Sequence, residues 1–414
     1  MGLYASNRTT STCRRQRGQK SKDQSFRCLN TYIEQFHRSD RLYTRSVPKL
    51  LHLIDKNRLT TGSVVQMLAA AKGLARRGHE VWIGSPAGGD LEAACVDAGL
   101  PFLELPLRGP LDPISASRLR KHLRQHETEI LHVHKGRAHA TALLASTGRG
   151  RYPSLVVNRG VTFPLDTLNK WKYRHPRVAS VVCVADAVRD VVIRSGGLRP
   201  DGVHTIHGGT DPGIFDPANA VGNALRPELA LDSDHIVIGQ VSVRDWKGWS
   251  DLISAFGLAA PQFPAARLLL VGCEPEAERT KVEELAHESG LAGRVVTLPY
   301  RTDMPEVLAA CDIVVDASWA GTGITGTIRE AMAMQRSVVA TDCGGNRELV
   351  VDGEVGLVVP PRDPYLLAAA LMRLIGDSEL RERFGAAGRR RVIEDFSTER
   401  RIDKLEALYR EILD

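Results

Sequence analysis

The chain has 414 residues, 43% hydrophobic and 25% charged, which suits two or three well-cored domains and excludes a disordered or fibrous class. Its formal charge of +6 sits in residues 1–45, where ten Arg or Lys face three acids; the remainder is close to neutral and carries no stripe of cations for nucleic acid. Seven cysteines with no CxxC pair argue against a disulfide framework or structural zinc, and no apolar run approaches the roughly 18 residues of a membrane span.

Residues 1–48 lack periodicity and are expected to form a disordered basic extension, whose charge suits peripheral contact with an anionic membrane. The chain is otherwise expected to be cytoplasmic. From Lys49, apolar runs predict strands at Leu50–Ile54, Glu80–Gly84, Ile130–His134, Ser154–Asn158, Ser180–Val184 and Val203–His207. Helical patterns fall between them at Val64–Arg77, Leu91–Ala98, Ser115–Gln125, Ala138–Ser146 and Ala187–Arg194. The stretch Asp211–Ser233 is rich in Pro, Gly and Asn and predicts a linker. Strands then resume at His235–Gln240, Ala266–Gly272, Val295–Pro299, Asp312–Ser318, Ser337–Thr341 and Gly356–Val359. Helices Pro364–Ile375, Ser378–Ile393 and Thr398–Ile412 close the chain. Near-continuous apolar strands separated by helices indicate parallel sheets covered on both faces. The predicted fold class is α/β, with two doubly wound Rossmann-like domains facing a cleft over 49–215 and 216–395. Residues 396–414 are expected to form a helix that crosses back to the first domain.

The richest chemistry lies after strand Asp312–Ser318. A glycine turn opens a helix there, and free amides at a helix start favour an anion. Gly321, Gly323 and Gly326 spell GxGxxG, with Asp342 downstream. Alone, that spacing admits an NAD(P)-dependent oxidoreductase. Its position after the fourth strand of the second half argues against it, because the fingerprint belongs in the first βαβ unit.

A longer ordered match points elsewhere. Glu330-Ala-Met-Ala333 is followed by Ser337-Val-Val-Ala-Thr341, Gly344-Gly345, Glu348-Leu-Val350, Asp352-Gly353, Gly356-Leu-Val358 and Pro360-Pro361. In this order the segments resemble the C-terminal half of the family 4 glycosyltransferases of the GT-B fold. The resemblance implies transfer of a sugar from a nucleoside-diphosphate sugar to a hydroxyl of a glycan or lipid-linked acceptor, with retention of configuration. It implies a role in lipopolysaccharide, capsule or glycolipid synthesis. The nucleotide-sugar is a substrate, so no cofactor is expected. No D-x-D pair reads as a metal site, so metal independence is expected as well. A non-catalytic nucleotide-sugar-binding protein is the other reading left open.

The same resemblance assigns site residues. Glu330 would accept hydrogen bonds from ribose hydroxyls. The family's first motif glutamate, which touches the donor sugar, is replaced here by Thr322, so a neutral hydroxyl stands where a carboxylate is usual. Gly323, Ile324 and Thr325 complete the donor turn. In Gly239-Gln-Val-Ser-Val-Arg-Asp-Trp-Lys-Gly248, Lys247 matches the diphosphate-holding lysine, and Arg244 takes the arginine role because Ser242 occupies its usual position. Lys247 is expected to be an exposed turn residue. Gly62, in Thr60-Thr61-Gly62-Ser63, is the candidate for backbone contact with the diphosphate. His134, the second histidine of His132-Val-His134, is the catalytic candidate beside the reacting sugar.

Overall fold

The computed structural model describes residues 47–148, 150–219 and 224–414, so the basic extension lies outside the described residues. The first lobe runs β1 Lys49–Ile54, α1 Gly62–Arg76, β2 Glu80–Ser85, α2 Asp90–Asp97, β3 Phe102–Glu104 and α3 Pro113–Gln125. It continues with β4 Ile130–His134, α4 Gly136–Ala145, β5 Ser154–Arg159, α5 Thr167–Tyr173, β6 Val178–Cys183, α6 Asp186–Gly196 and β7 Val203–Thr205. The second lobe begins with α7 Leu225–Glu228, then β8 Ile236–Val241, α8 Trp249–Ala259, β9 Ala266–Val271, α9 Glu276–Glu288 and β10 Val295–Leu298. After these come α10 Met304–Ala310, β11 Ile313–Asp316, α11 Gly326–Ala333, β12 Ser337–Thr341, α12 Asn346–Leu349, β13 Leu357–Val359 and α13 Pro364–Gly376. Two long helices, α14 Ser378–Asp395 and α15 Thr398–Leu413, end the chain.

Both sheets are wholly parallel, as buried apolar strands joined by crossover helices require. The seven-stranded sheet has the order β3-β2-β1-β4-β5-β6-β7, and the six-stranded sheet β10-β9-β8-β11-β12-β13. The strand order reverses between β1 and β4 in one and between β8 and β11 in the other. Ligands of such sheets bind outside the carboxyl ends at these reversals, and the site residues expected from sequence flank both of them. The fold class is therefore two doubly wound Rossmann-like sheets.

Each sheet is sandwiched by two apolar clusters. Helix α15 joins the first lobe rather than its sequence neighbours: Ile402, Leu405, Leu408 and Tyr409 are buried with Leu50, Met67 and Ile83. Gly73 in α1 makes room for Ile402, where any Cβ would collide. Arg77 ties the same edge through Glu399, Asp403 and Glu406. Among the described residues no helix is long and apolar enough to cross a membrane.

Candidate active site between the two lobes

The second lobe's crevice is organised by one buried carboxylate. Asp316 ends β11 and is 2% exposed. It accepts from Lys247 Nζ at 3.2 Å, Ser318 Oγ at 2.7 Å, Thr325 Oγ1 at 2.7 Å and Asn346 Nδ2 at 3.0 Å. Burial alone would raise its pKa. Lys247 and the three other donors outweigh burial and hold it below the ordinary carboxylate range. The turn from β11 to α11 is thereby pinned at both ends. Thr325 spends its hydroxyl on this scaffold. Lys247 is not an exposed turn lysine: its side chain is 18% exposed and ion-paired with Asp316. Arg244 is exposed, with its guanidinium 5.5 Å from the Trp246 ring centroid.

The glycine turn itself faces the opposite lobe. Thr322 is buried; its hydroxyl donates to Ala320 O at 3.3 Å, and its carbonyl accepts from Thr162 Oγ1 of the first lobe at 3.4 Å. An added Cβ at Gly323 would strike Val184 and the Gly160 carbonyl. Ile324 packs against apolar clusters of both lobes. Gly321, whose added Cβ would meet Phe163, and Gly323 thus serve close lobe-to-lobe approach, which accounts for two of the three fingerprint glycines without a dinucleotide.

Glu330, one turn into α11, is half-buried, and among the described residues its carboxylate has no hydrogen-bond partner. Burial raises its pKa, and neighbouring Arg329 opposes the rise. Arg329 itself turns away. It donates to Thr210 Oγ1 at 2.8 Å and Gly209 O at 3.2 Å, fixing α11 to the segment between the lobes.

Glu348 is a contact the sequence match did not assign. From α12 it crosses to the first lobe and accepts the Asp186 and Ala187 amides at 2.7 and 2.9 Å, capping the N-terminus of α6. His207 Nε2, in the connecting segment, lies 2.9 Å from the same carboxylate. Glu348→Ala is expected to cost about 2 kcal/mol of stability by stripping two helix-end amides and His207 of their acceptor. Chemical denaturation measures that loss, and small-angle scattering would read the accompanying separation of the lobes.

On the first lobe, Gly62 begins α1 and is exposed, with open space where a Cβ would stand. His134 is 2% exposed and belongs to a stack of three imidazoles. Its Nε2 lies 3.2 Å from His52 Nδ1, and His132 Nδ1 lies 2.6 Å from the Tyr409 hydroxyl. Burial first, then the neighbouring histidines and Arg401, push His132 and His134 well below the ordinary histidine range. His52 falls to about 3 for the same first reason. His134 is therefore a neutral ring within a buried network and takes no proton at neutral pH. Strand register explains the cluster, since β1 pairs with β4 with His52 opposite His132.

Among the described residues two groups bring possible metal-ligand atoms within 4.8 Å of one another: these three histidines, and Asp186 with His207 and Glu348. In the first, ring nitrogens already face each other and Tyr409. In the second, both Glu348 oxygens are taken by amides and His207.

Comparison with known proteins gives this arrangement its family. Residues 60–213 match the model described as Glycosyltransferase Family 4, and residues 233–377 the model described as Glycosyl transferases group 1. The chain belongs to the family 4, group 1 glycosyltransferases of the GT-B fold. The enzyme is 26% identical to the putative glycosyltransferase EpsD of Bacillus subtilis, over 76% of this chain and 87% of that one. It is 25% identical to a phosphatidyl-myo-inositol mannosyltransferase of Mycolicibacterium smegmatis, over 79% and 84%. Among solved structures it superposes on a glycosyltransferase of Rickettsia africae with a TM-score of 0.80 at 22% identity, over 89% of this chain and 99% of that one. Anabaena Alr3699/HepE, solved in complex with UDP, gives 0.75 at 22% identity, over 88% and 100%.

Proposed function

We propose that the enzyme moves a sugar from a nucleoside-diphosphate sugar, with UDP the first nucleotide to consider, to a hydroxyl of a glycan or lipid-linked acceptor. The observation that carries this reading is Glu330, a half-buried carboxylate that among the described residues has no hydrogen-bond partner, at the β8/β11 crevice. Vicinal ribose hydroxyls would supply the two donors it lacks. Arg244 and Lys247 follow β8, where a diphosphate attached to that ribose would extend, and the Gly62 amide together with those of Gly323 and Ile324 suits its oxygens. Departure of the diphosphate builds negative charge there, so fixed cations lower the barrier without a metal ion. Thr322 would contact the sugar through one hydroxyl.

The sugar's anomeric bond to phosphate breaks as the acceptor oxygen bonds to the same carbon. The acceptor's proton passes to the leaving phosphate oxygen on the same face, which retains configuration, and the neutral His134 ring would stand beside the reacting sugar. The pathway proposed is bacterial envelope glycan or glycolipid synthesis, at the inner face of the membrane. The mycobacterial relative's name supports a lipid-linked acceptor.

A thermal-shift screen with UDP, GDP and ADP tests the donor. Glu330→Ala should abolish the nucleotide shift, since two hydrogen bonds to a carboxylate contribute roughly 1.5–3 kcal/mol each. If a folded Glu330→Ala protein binds the same nucleotide with unchanged affinity, the nucleotide lies elsewhere.

A further inference from the structure

The first lobe has its own pocket at the β1/β4 reversal, and its chemistry is lopsided. It encloses about 460 Å³ and is lined by Asp55, Lys56, Lys135, Gly136, Arg137 and Lys172 among others. Four cations thus face one carboxylate. Asp55 accepts the Arg137 amide at 3.0 Å, at the start of the ten-residue helix α4. Among the described residues no salt bridge neutralises Lys56, Lys135 or Arg137; Lys172 has Asp166 as a counter-charge. The volume exceeds what a bare phosphate needs and fits an anion carrying a small polyol or sugar body.

The backbone adds an independent observation. Lys135 follows β4 with φ 78° and ψ 164°, a region open to glycine and costly for any other residue, by about 1–3 kcal/mol. Gly136 beside it has open space where a Cβ would stand. A lysine in strained backbone thus sets one of the three ammonium groups on the pocket wall. The crowding is visible electrostatically too. Partial desolvation, with Lys56 and Arg159 adding like charge against Asp55, holds the Lys135 ammonium below the ordinary lysine range, and desolvation first does the same for Lys172. An arriving anion relieves that repulsion.

We infer that this pocket binds an anionic acceptor, a phosphate ester whose charged group sits among Lys135, Arg137 and Lys172 while one of its hydroxyls faces the cleft. The inference rests on the transferase reading above, and it concerns the lobe opposite Glu330, Arg244 and Lys247. A soluble sugar or polyol phosphate and a phospholipid headgroup share this chemistry.

Calorimetric titration of the full chain with UDP already at saturation keeps the two sites apart. The probes are glycerol 3-phosphate and a short-chain phosphatidylglycerol, with glycerol and a short-chain diacylglycerol as uncharged counterparts. The anionic probes should bind at least about tenfold tighter than their counterparts. Lys135→Gly and Lys172→Ala should each weaken them by about tenfold. Lys135→Gly should also melt no lower than wild type, since glycine relieves the backbone strain, so its loss of binding cannot be unfolding. Tighter binding of the lipid probe would assign a lipid-linked acceptor and equal binding a soluble phosphate ester, and either supports the pocket. Unchanged affinity in both variants overturns the inference, as does mole-for-mole displacement of the probe by UDP, which would give the pocket to the nucleotide. If no nucleotide binds while the phosphate probe still depends on Lys135, the donor reading falls and the anion pocket stands. Nucleotide binding without probe binding removes the acceptor class alone.

Discussion

Replacing Asp316 with alanine is expected to cost about 3–5 kcal/mol of stability, a large share of the roughly 5–15 kcal/mol that holds a typical domain folded. The carboxylate is 2% exposed and has four side-chain donors from three separate segments. Its removal leaves the half-buried Lys247 ammonium without a counter-charge and orphans hydroxyls of Ser318 and Thr325 together with the Asn346 amide. An unpaired buried cation costs far more than the lost pair contributed, because water cannot replace the missing oxygen. Asp316→Asn keeps the volume but gives up the charge and one acceptor oxygen. It should lose less stability while still loosening the β11–α11 turn. The two variants therefore separate scaffold from site: denaturant midpoints read the first, and UDP binding by the folded Asn variant reads the second. Alanine at 316 with a wild-type midpoint would mean that Lys247 and Asp316 do not pair in solution.

The strands that sequence located best are those with the least choice. Ile130–His134 and Ser337–Thr341 are buried at every position and end where predicted, since a fully buried parallel strand reads as a run without charged side chains. What escaped was short or half-exposed. β3 has three residues, none buried, and α5 has seven with Trp171 facing solvent, so neither carries enough periodicity to read. The helix α7 lies inside the predicted linker for the same reason. In the site, the order of motif segments located the glycine turn, its helix and Glu330. It could not show that Lys247 turns inward to Asp316, because partners 69 residues apart leave no local pattern, nor that the turn folds Thr325 back onto the same carboxylate nine residues before it. A lone acid closing Ile-Val-Val-Asp316 was the available signal, since a charge ending a buried strand needs partners. Nor could spelling reveal that Glu348 reaches 162 residues back to α6, or that Lys135 occupies a glycine's backbone conformation.

The histidines give the largest expected dependence on conditions. His52, His132, His134 and His139 are each no more than 2% exposed. Burial, with Arg401 adding to it for His52 and Lys172 for His139, lowers those two to about 3. His132 and His134 also lie well below the ordinary value, again by burial first. In the unfolded chain all four titrate near 6.5. Above that pH neither state binds these protons, and they leave stability unchanged. As the pH falls below 6.5 the unfolded chain takes up protons that the folded one refuses, so stability falls with pH down to about 3. Each ring contributes about 1.4 kcal/mol per pH unit, and four approach about 5 kcal/mol per unit. Glu330 and Asp251 act in the opposite sense, since burial raises both and lets the folded state bind their protons early, but they are two carboxyls against the buried histidines. Unfolding free energies measured by denaturant between pH 7.5 and 5 should therefore be flat above about 6.5 and drop steeply below it, erasing most of the stability near pH 5. Unfolding at pH 5.5 should be accompanied by uptake of about four to five protons, because His122, which burial lowers to about 4, refuses its proton as well. An uptake below one would mean that the buried rings protonate in place, and the neutral stack behind His134 would have to be abandoned.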